Sequence, residues 1–175
     1  MSAPTQQTIG QETVLEGVGL HTGASTRVRF RPAEPNTGIR FCRSDLAGCP
    51  EVPADLEHIR STDRGTSLSA GSAQVDTVEH LLAAVAALQI DNVLIEVDGP
   101  EVPIADGSFK PFYEALRNSG TTQQREPAPV FELKEVLRIN ADGGASYVAV
   151  PAKTLRISGA IEFDHPLIRR QFGSF

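Results

Sequence analysis

Between Asp76 and Gln89 the residues Val78, Leu81, Leu82, Val85 and Leu88 recur at steps of three and four, with Ala83, Ala84, Ala86 and Ala87 between them. That period predicts an amphipathic helix of about three turns, and alanine is its best intrinsic former. Directly afterwards Asn92 to Val97 is an apolar run interrupted only by Glu96 and closed by Asp98-Gly99-Pro100, which predicts a strand running into a turn. A chain with both periods side by side buries its apolar surface by laying helix on sheet, an α+β architecture.

The flanking segments extend this pattern. Thr26, Val28 and Phe30 alternate with Arg27 and Arg29, the period of a half-buried strand. Pro32 to Gly38 is turn chemistry, and Ile39 and Phe41 opposite Arg40 and Arg43 resume the alternation, so a hairpin is expected here. Ser108 is placed to cap a second helix through Leu116, with Pro111 in its first turn. Thr121 to Pro129 is polar, contains Pro127 and Pro129, and reads as a linker, which divides the chain into a first α+β domain over 1–122 and a second beginning at 130. Beyond it Val130 to Ile139 is strand-like, Asp142-Gly143-Gly144 is a turn, and Tyr147 to Val150 and Leu155 to Phe163 are further strands. Val148-Ala-Val-Pro151-Ala152 echoes Val28-Arg-Phe-Arg-Pro32-Ala33, as if one unit occurred twice. The second copy does not reach its helix, so its sheet is expected to lack a covering layer and the chain to be the front part of something longer.

Charge and length narrow the partners. A net charge of -6 over 175 residues argues against a nucleic acid or an anionic membrane, both of which need a basic surface, and leaves a small molecule or another protein. There is no apolar run of about 18 residues, and Met1-Ser2-Ala3-Pro4-Thr5-Gln6-Gln7 has neither the basic nor the apolar region of a signal peptide, so a cytoplasmic location is expected. Cys42 and Cys49 form no redox or zinc motif and are expected as unpaired thiols, in keeping with a reducing compartment.

The chemically suggestive residues are few. Glu79 and His80 stand side by side in the first turn of the predicted helix. By local pattern Glu79 reads first as the end of an Asp76-x-x-Glu79 capping box and second as a general base; His80 reads as an ordinary helix-start histidine or as a zinc-ligating imidazole. The spacing alone does not decide, because Ala84 stands where a second histidine of an H-E-x-x-H motif would be. Gly17-Val-Gly-Leu-His21-Thr22-Gly23 lacks the last glycine and the following helix of a dinucleotide loop, so it reads as a tight turn that holds His21 and Thr22 near a site or leaves His21 exposed. Asp63-Arg64-Gly65-Thr66 and Asp106-Gly107-Ser108 read as turns, and His58 and His165 have no ligand spacing around them.

Taken together, Gly17 to Gly23, Thr77-Val-Glu79-His80-Leu-Leu-Ala-Ala, and Ile90-Asp-Asn92 through Glu101-Val-Pro-Ile-Ala-Asp106-Gly-Ser108 resemble the UDP-3-O-acyl-N-acetylglucosamine deacetylase family, in order from Thr8 to Phe163. Asp63-Arg-Gly-Thr66 resembles a branch in which the enzyme is in places fused to an acyl-carrier-protein dehydratase. The resemblance implies two ribosomal-protein-like α+β domains facing each other as a sandwich, the first complete here and the second truncated at 130–175. It implies Zn2+ held by two histidines and an aspartate, with a glutamate as general base and a further histidine assisting. Carried onto this chain, Glu79 is the base, His80 the first zinc ligand, His21 and Thr22 the active-site turn, and Glu162 and Phe163 the contacts to the uridine of a UDP-acyl-glucosamine substrate. The remaining ligands would lie beyond Phe175. One histidine cannot hold a catalytic zinc, which commonly has three protein ligands, so the activity is expected of a longer protein, with a non-catalytic α+β binding or assembly module as the alternative for this chain alone.

Overall fold

A computed structural model describes residues 4–175 as two compact units, one ending at Pro129 and one spanning Val130–Phe175. Met1, Ser2 and Ala3, part of the segment read for a missing leader, lie outside the described residues. Along the first unit run β1 (Thr5–Ile9), β2 (Thr13–Val18), β3 (Ser25–Pro32), β4 (Ile39–Arg43) and β5 (Glu51–Pro53). They are followed by β6 (Ile59–Ser61), β7 (Ser67–Ala70), β8 (Ala73–Val75), α1 (Glu79–Ala87), β9 (Val93–Val97), α2 (Lys110–Ser119) and β10 (Thr121–Pro127). The architecture is α+β, mostly strand with two helices.

The main sheet has the order β2-β3-β9-β4-β5. Its apolar face is set by period-2 alternation: Thr26, Val28 and Phe30 on β3 and Val93, Ile95 and Val97 on β9 are buried. Leu81, Ala84 and Val85 of α1 and Phe112 and Leu116 of α2 join them in one core with Phe41 and Val52. The opposite face is a cross-strand charge ladder, in which Arg27 meets Glu16 at 2.6 Å and Arg31 meets Glu96 at 2.7 Å and Glu12 at 3.1 Å. Such exposed pairs contribute little each, but they keep the wet face soluble and fix the register of β2, β3 and β9.

The expected hairpin at Pro32–Gly38 does not form. β4 lies beyond β9 and pairs with it in parallel, Phe41 opposite Ile95, while β9 pairs antiparallel with β3. Local alternation identified both strands, but it carries no information about partners, and the more apolar β9 takes the central position. The segment read as a linker is likewise a strand: β10 pairs antiparallel with β1, and Ala128 donates to the carbonyl of Pro4, so the first unit closes its two ends on each other. Its polar composition is that of a wet two-stranded ribbon. Cys42 and Cys49 are not free thiols but a bonded pair, brought to a Cα separation of 5.6 Å where the chain folds back between β4 and β5.

Asn92 joins these layers. Buried, it donates from Nδ2 to Gln6 Oε1 on β1 and Gln124 Oε1 on β10, both at 2.7 Å, and accepts from the Gly38 N–H at 2.8 Å.

In the second unit β11 (Leu137–Asn140) pairs with β12 (Ser146–Ala149) and β13 (Ser158–Glu162) with β14 (Arg170–Ser174), as two separate antiparallel hairpins. The turn at Asp142-Gly143-Gly144 forms as read, with both glycines at positive φ; Val130–Val136, read as strand, is not, and β14 was not foreseen. No residue of this unit is buried, and Ile139, Tyr147 and Phe172 stand open to water. Two-stranded hairpins are marginal alone, and these hold none of the apolar packing that stabilises the first unit.

Because Asn92→Ala would strand the Gly38 N–H and the Gln124 amide oxygen, while Gln6 Oε1 keeps the Asn36 N–H, it is expected to lower the stability of the first unit by about 1–3 kcal/mol. A urea midpoint unchanged from the parent would show that the Gln6–Asn92–Gln124 network is dispensable.

Candidate active site

Four chain segments meet at the amino-terminal end of α1. The first is the glycine turn after β2, where Gly19 donates to the Ala24 carbonyl at 2.9 Å and Gly23 to the Gly19 carbonyl at 3.1 Å, leaving His21 and Thr22 exposed at its tip. The second is the end of β9, where the Asp98-Gly99-Pro100 turn delivers Glu101. The third is Asp76-Thr77, laid beside it by Asp76 N–H to Pro100 carbonyl at 2.8 Å and Val102 N–H to Asp76 carbonyl at 3.1 Å. The fourth is the loop between β6 and β7, Thr62–Thr66.

Glu101 has no solvent exposure. Its carboxylate accepts from the backbone N–H groups of His21 at 3.0 Å and Thr22 at 2.8 Å, from the Thr22 hydroxyl at 2.8 Å and from the Thr77 hydroxyl at 2.9 Å. Burial by itself pushes such a carboxyl up, but the donors of His21, Thr22 and Thr77 outweigh it and hold the group down at about 2, so it stays ionised. Gly19 has no room for a Cβ between the Glu101 carboxylate and the Thr22 hydroxyl, which explains the glycine there. Thr77 sits at a φ of 60°, uncommon for a β-branched residue, and is buried at this junction.

The predicted helix is shorter than its apolar pattern, starting at Glu79, and no side chain caps its N-terminus at Val78. Asp76 does not complete the capping box: its Oδ1 accepts from the Gln74 side-chain amide at 2.7 Å instead. Glu79 reaches sideways to the loop. Its Oε2 accepts from the Thr66 N–H at 2.9 Å, while Val78 N–H donates to the Thr66 carbonyl at 3.2 Å. A Cβ on Gly65 would stand 3.5 Å from Glu79 Oε1, 3.8 Å from His21 Nε2 and 3.9 Å from Thr77 Oγ1, so three functional atoms from three segments converge on one side-chain-free position. His80, the next residue of α1, is half-buried.

A cavity of about 410 Å³ opens beside this point, lined by His21, Thr22, Arg64, Gly65, Thr77 and Glu101 among others. Glu79 borders it through Gly65 and Thr66 rather than lining it. The structure thus brings His21, Thr22 and Glu79 together, with His80 adjoining Glu79 on α1. Glu162, at the end of β13, and Phe163 after it belong to the second unit, where both are exposed. His58 bonds Asp55 at 2.6 Å in a one-turn helix and takes no part. Among the described residues no three His, Cys, Asp or Glu side chains are grouped to hold a metal ion, so the donor set of a three-ligand zinc is not assembled from them. Nor, among the described residues, is any helix long and apolar enough to cross a membrane.

Sequence reasoning gave Glu101 no role. The signal was present: an acidic residue between a Gly-Pro turn and the apolar Val102-Pro103-Ile104, where a carboxylate is costly unless donors await it.

Residues 6–175 match the family model described as UDP-3-O-acyl N-acetylglycosamine deacetylase, LpxC. The chain is 44% identical over 173 residues to the UDP-3-O-acyl-N-acetylglucosamine deacetylase of Thermosynechococcus vestitus, which covers 99% of this chain and 60% of that protein. It is 41% identical to the enzyme of the same name from Myxococcus xanthus, over 97% of this chain and 54% of that one. It is also 40% identical to the bifunctional enzyme LpxC/FabZ of Chlorobaculum tepidum, over 95% of this chain and 36% of the relative. The chain therefore spans from about a third to three-fifths of the length of these relatives.

The Glu101 carboxyl titrates at about 2 when folded against 4.5 ordinarily, so its stabilising contribution is complete above that ordinary value and is lost as pH falls through about 2. The gap in urea midpoint between the parent and Glu101→Gln is accordingly expected to be widest above pH 5, about 1–3 kcal/mol in stability, and to close towards pH 2. A gap that stays constant over this range would contradict the assignment.

Proposed function

The chain belongs to the UDP-3-O-acyl N-acetylglycosamine deacetylase family, and from that premise we propose that the whole protein hydrolyses the acetamide of a UDP-3-O-acyl-N-acetylglucosamine in lipid A biosynthesis, with Glu79 as general base. The observation that carries this reading is the placement of Glu79: no capping box occupies it, one oxygen is fixed by the Thr66 N–H, and the other faces the open position at Gly65 beside His21. A carboxylate oriented in this way can take the proton of a water as its oxygen bonds to the amide carbonyl carbon. The carbon–nitrogen bond then breaks as the proton held by Glu79 passes to the nitrogen, so that the acetyl group departs as acetate and the sugar nitrogen is left as an amine.

Zn2+ is the cofactor of this reading, with His80 giving one imidazole and the other ligands proposed in the region by which the relatives exceed the matched span. A bound zinc would supply polarisation of the amide carbonyl. His21 and Thr22, exposed at the cavity, are read as substrate contacts. Glu162 and Phe163 are read as uridine contacts, a carboxylate to accept from the nucleoside and an aromatic face to stack on its base. We read the unit ending at Pro129 as the first of two ribosomal-protein-like α+β domains and Val130–Phe175 as the beginning of the second, the exposed Ile139, Tyr147 and Phe172 supporting a further layer over its hairpins. We place the protein in the cytoplasm on the ground of its nucleotide-sugar substrate; the paired cysteines remove the thiol argument for that location.

In the complete protein Glu79→Gln is expected to retain zinc and lose about 100–10,000-fold in turnover. Near-normal steady-state rates would return Glu79 to a purely structural part.

His80→Ala in the same protein is expected to lower the zinc retained after dialysis, since a methyl group replaces a ligand. Equal metal content in variant and parent would remove His80 from the site and favour the reading of this half as a binding or assembly module.

A further inference from the structure

The carboxylate of Glu101 lines the same cavity as His21 and Thr77, yet each of its oxygens is engaged by protein donors, so it is poorly available to a substrate. All of those donors come from two short segments. His21 and Thr22 contribute two backbone N–H groups and a hydroxyl from the tip of the glycine turn, and Thr77 contributes a hydroxyl from the residue two before Glu79. The turn has few other ties: its internal hydrogen bonds are those of Gly19, Gly23 and the Ala24 N–H to Thr22 Oγ1, and its side chains are exposed.

We propose that Glu101 is a positioning residue for the deacetylation: by gathering the His21–Thr22 backbone and the Thr77 hydroxyl onto one buried carboxylate, it sets the His21 imidazole against Glu79 across Gly65. This rests on the functional reading given above. Three features of the geometry require the carboxylate and not merely a polar side chain. Oε1 accepts from His21 N–H and Thr77 Oγ1, and Oε2 from Thr22 N–H and Thr22 Oγ1, so an amide placed here points an NH2 group at a backbone N–H whichever way it turns. Gly19 lies against the carboxylate with no room for a Cβ, so the turn has no space to settle closer by another route. Thr77 holds a left-handed φ of 60° in the position that delivers its hydroxyl to Oε1, and strain of that kind persists where the surroundings over-determine it. The low titration point of the group, about 2, keeps the anchor ionised at any pH at which the enzyme would work.

The test pairs kinetics with a local probe. In the complete protein Glu101→Gln is expected to lower kcat about 10–100-fold while KM and zinc content stay near the parent values, the cost of misplacing a group that touches the reaction through another. In the 175-residue chain with labelled histidines, the same substitution is expected to move the ring signals of His21 and leave those of His58 and His165 in place. Thr77→Val, which removes one donor and keeps the carboxylate and its backbone bonds, is expected to shift His21 in the same direction by less, and it decides the matter if Glu101→Gln does not fold. Parent-like kcat in Glu101→Gln, or His21 signals unmoved in whichever variants fold, would overturn the proposal. Should the complete parent protein not deacetylate, the functional reading fails on its own, and the His21 signals still decide whether Glu101 positions the turn.

Discussion

A carboxylate without solvent exposure persists in its charged form only where donors converge on it, and in this chain that requirement draws separate segments to one point. Glu101 takes its donors from the glycine turn after β2 and from Thr77 before α1, while its own backbone neighbours are stitched to Asp76. The start of α1, and with it Glu79 and His80, is thereby fixed relative to the turn that carries His21. The unusual backbone of Thr77 and the glycine at position 19 both follow from making room for this meeting.

The main sheet makes such precision possible. β9 runs through its centre with Val93, Ile95 and Val97 fully buried under α1 and α2, so the residue that leaves its end is delivered from a rigid element. On the opposite face the ladder of Arg27, Arg29 and Arg31 against Glu12, Glu16 and Glu96 keeps the surface wet and the register single. At the far end of β9, Asn92 ties that strand to β1 and β10, so the first unit is closed at one end by an amide network and organised at the other by a carboxylate.

Membership of the deacetylase family gives this geometry its meaning, and the geometry in turn limits what these residues do alone. The first unit places Glu79, with His80 next to it on α1, at the border of a cavity of about 410 Å³ whose lining includes His21 and Glu101. The described residues do not gather three metal donors. The second unit, with no buried residue, offers surface without a core. The relatives extend beyond the span matched by this chain.

The sequence by itself determined the elements that depend on neighbours a few residues away. The i, i+3, i+4 pattern of Val78 to Leu88 gave the helix, alternation gave β3 and β4, and the Gly17–Gly23 motif gave the tight turn, because each is a local match of side-chain period to backbone geometry. The motifs around His21, Glu79 and Glu101 also carried the family. Tertiary structure decided what local period cannot encode. It put β9 between β3 and β4 in place of a hairpin, made the polar stretch Thr121–Pro127 a strand by pairing it with β1, and joined Cys42 to Cys49 across a reversal of the chain. It also removed the capping-box reading of Glu79, whose side chain bonds the Thr66 loop, since that box depends on whether Asp76 is free to cap. Asp76 is not free, because its backbone is held to Pro100 and Val102 and its carboxylate to Gln74, partners that no window of sequence around the helix includes.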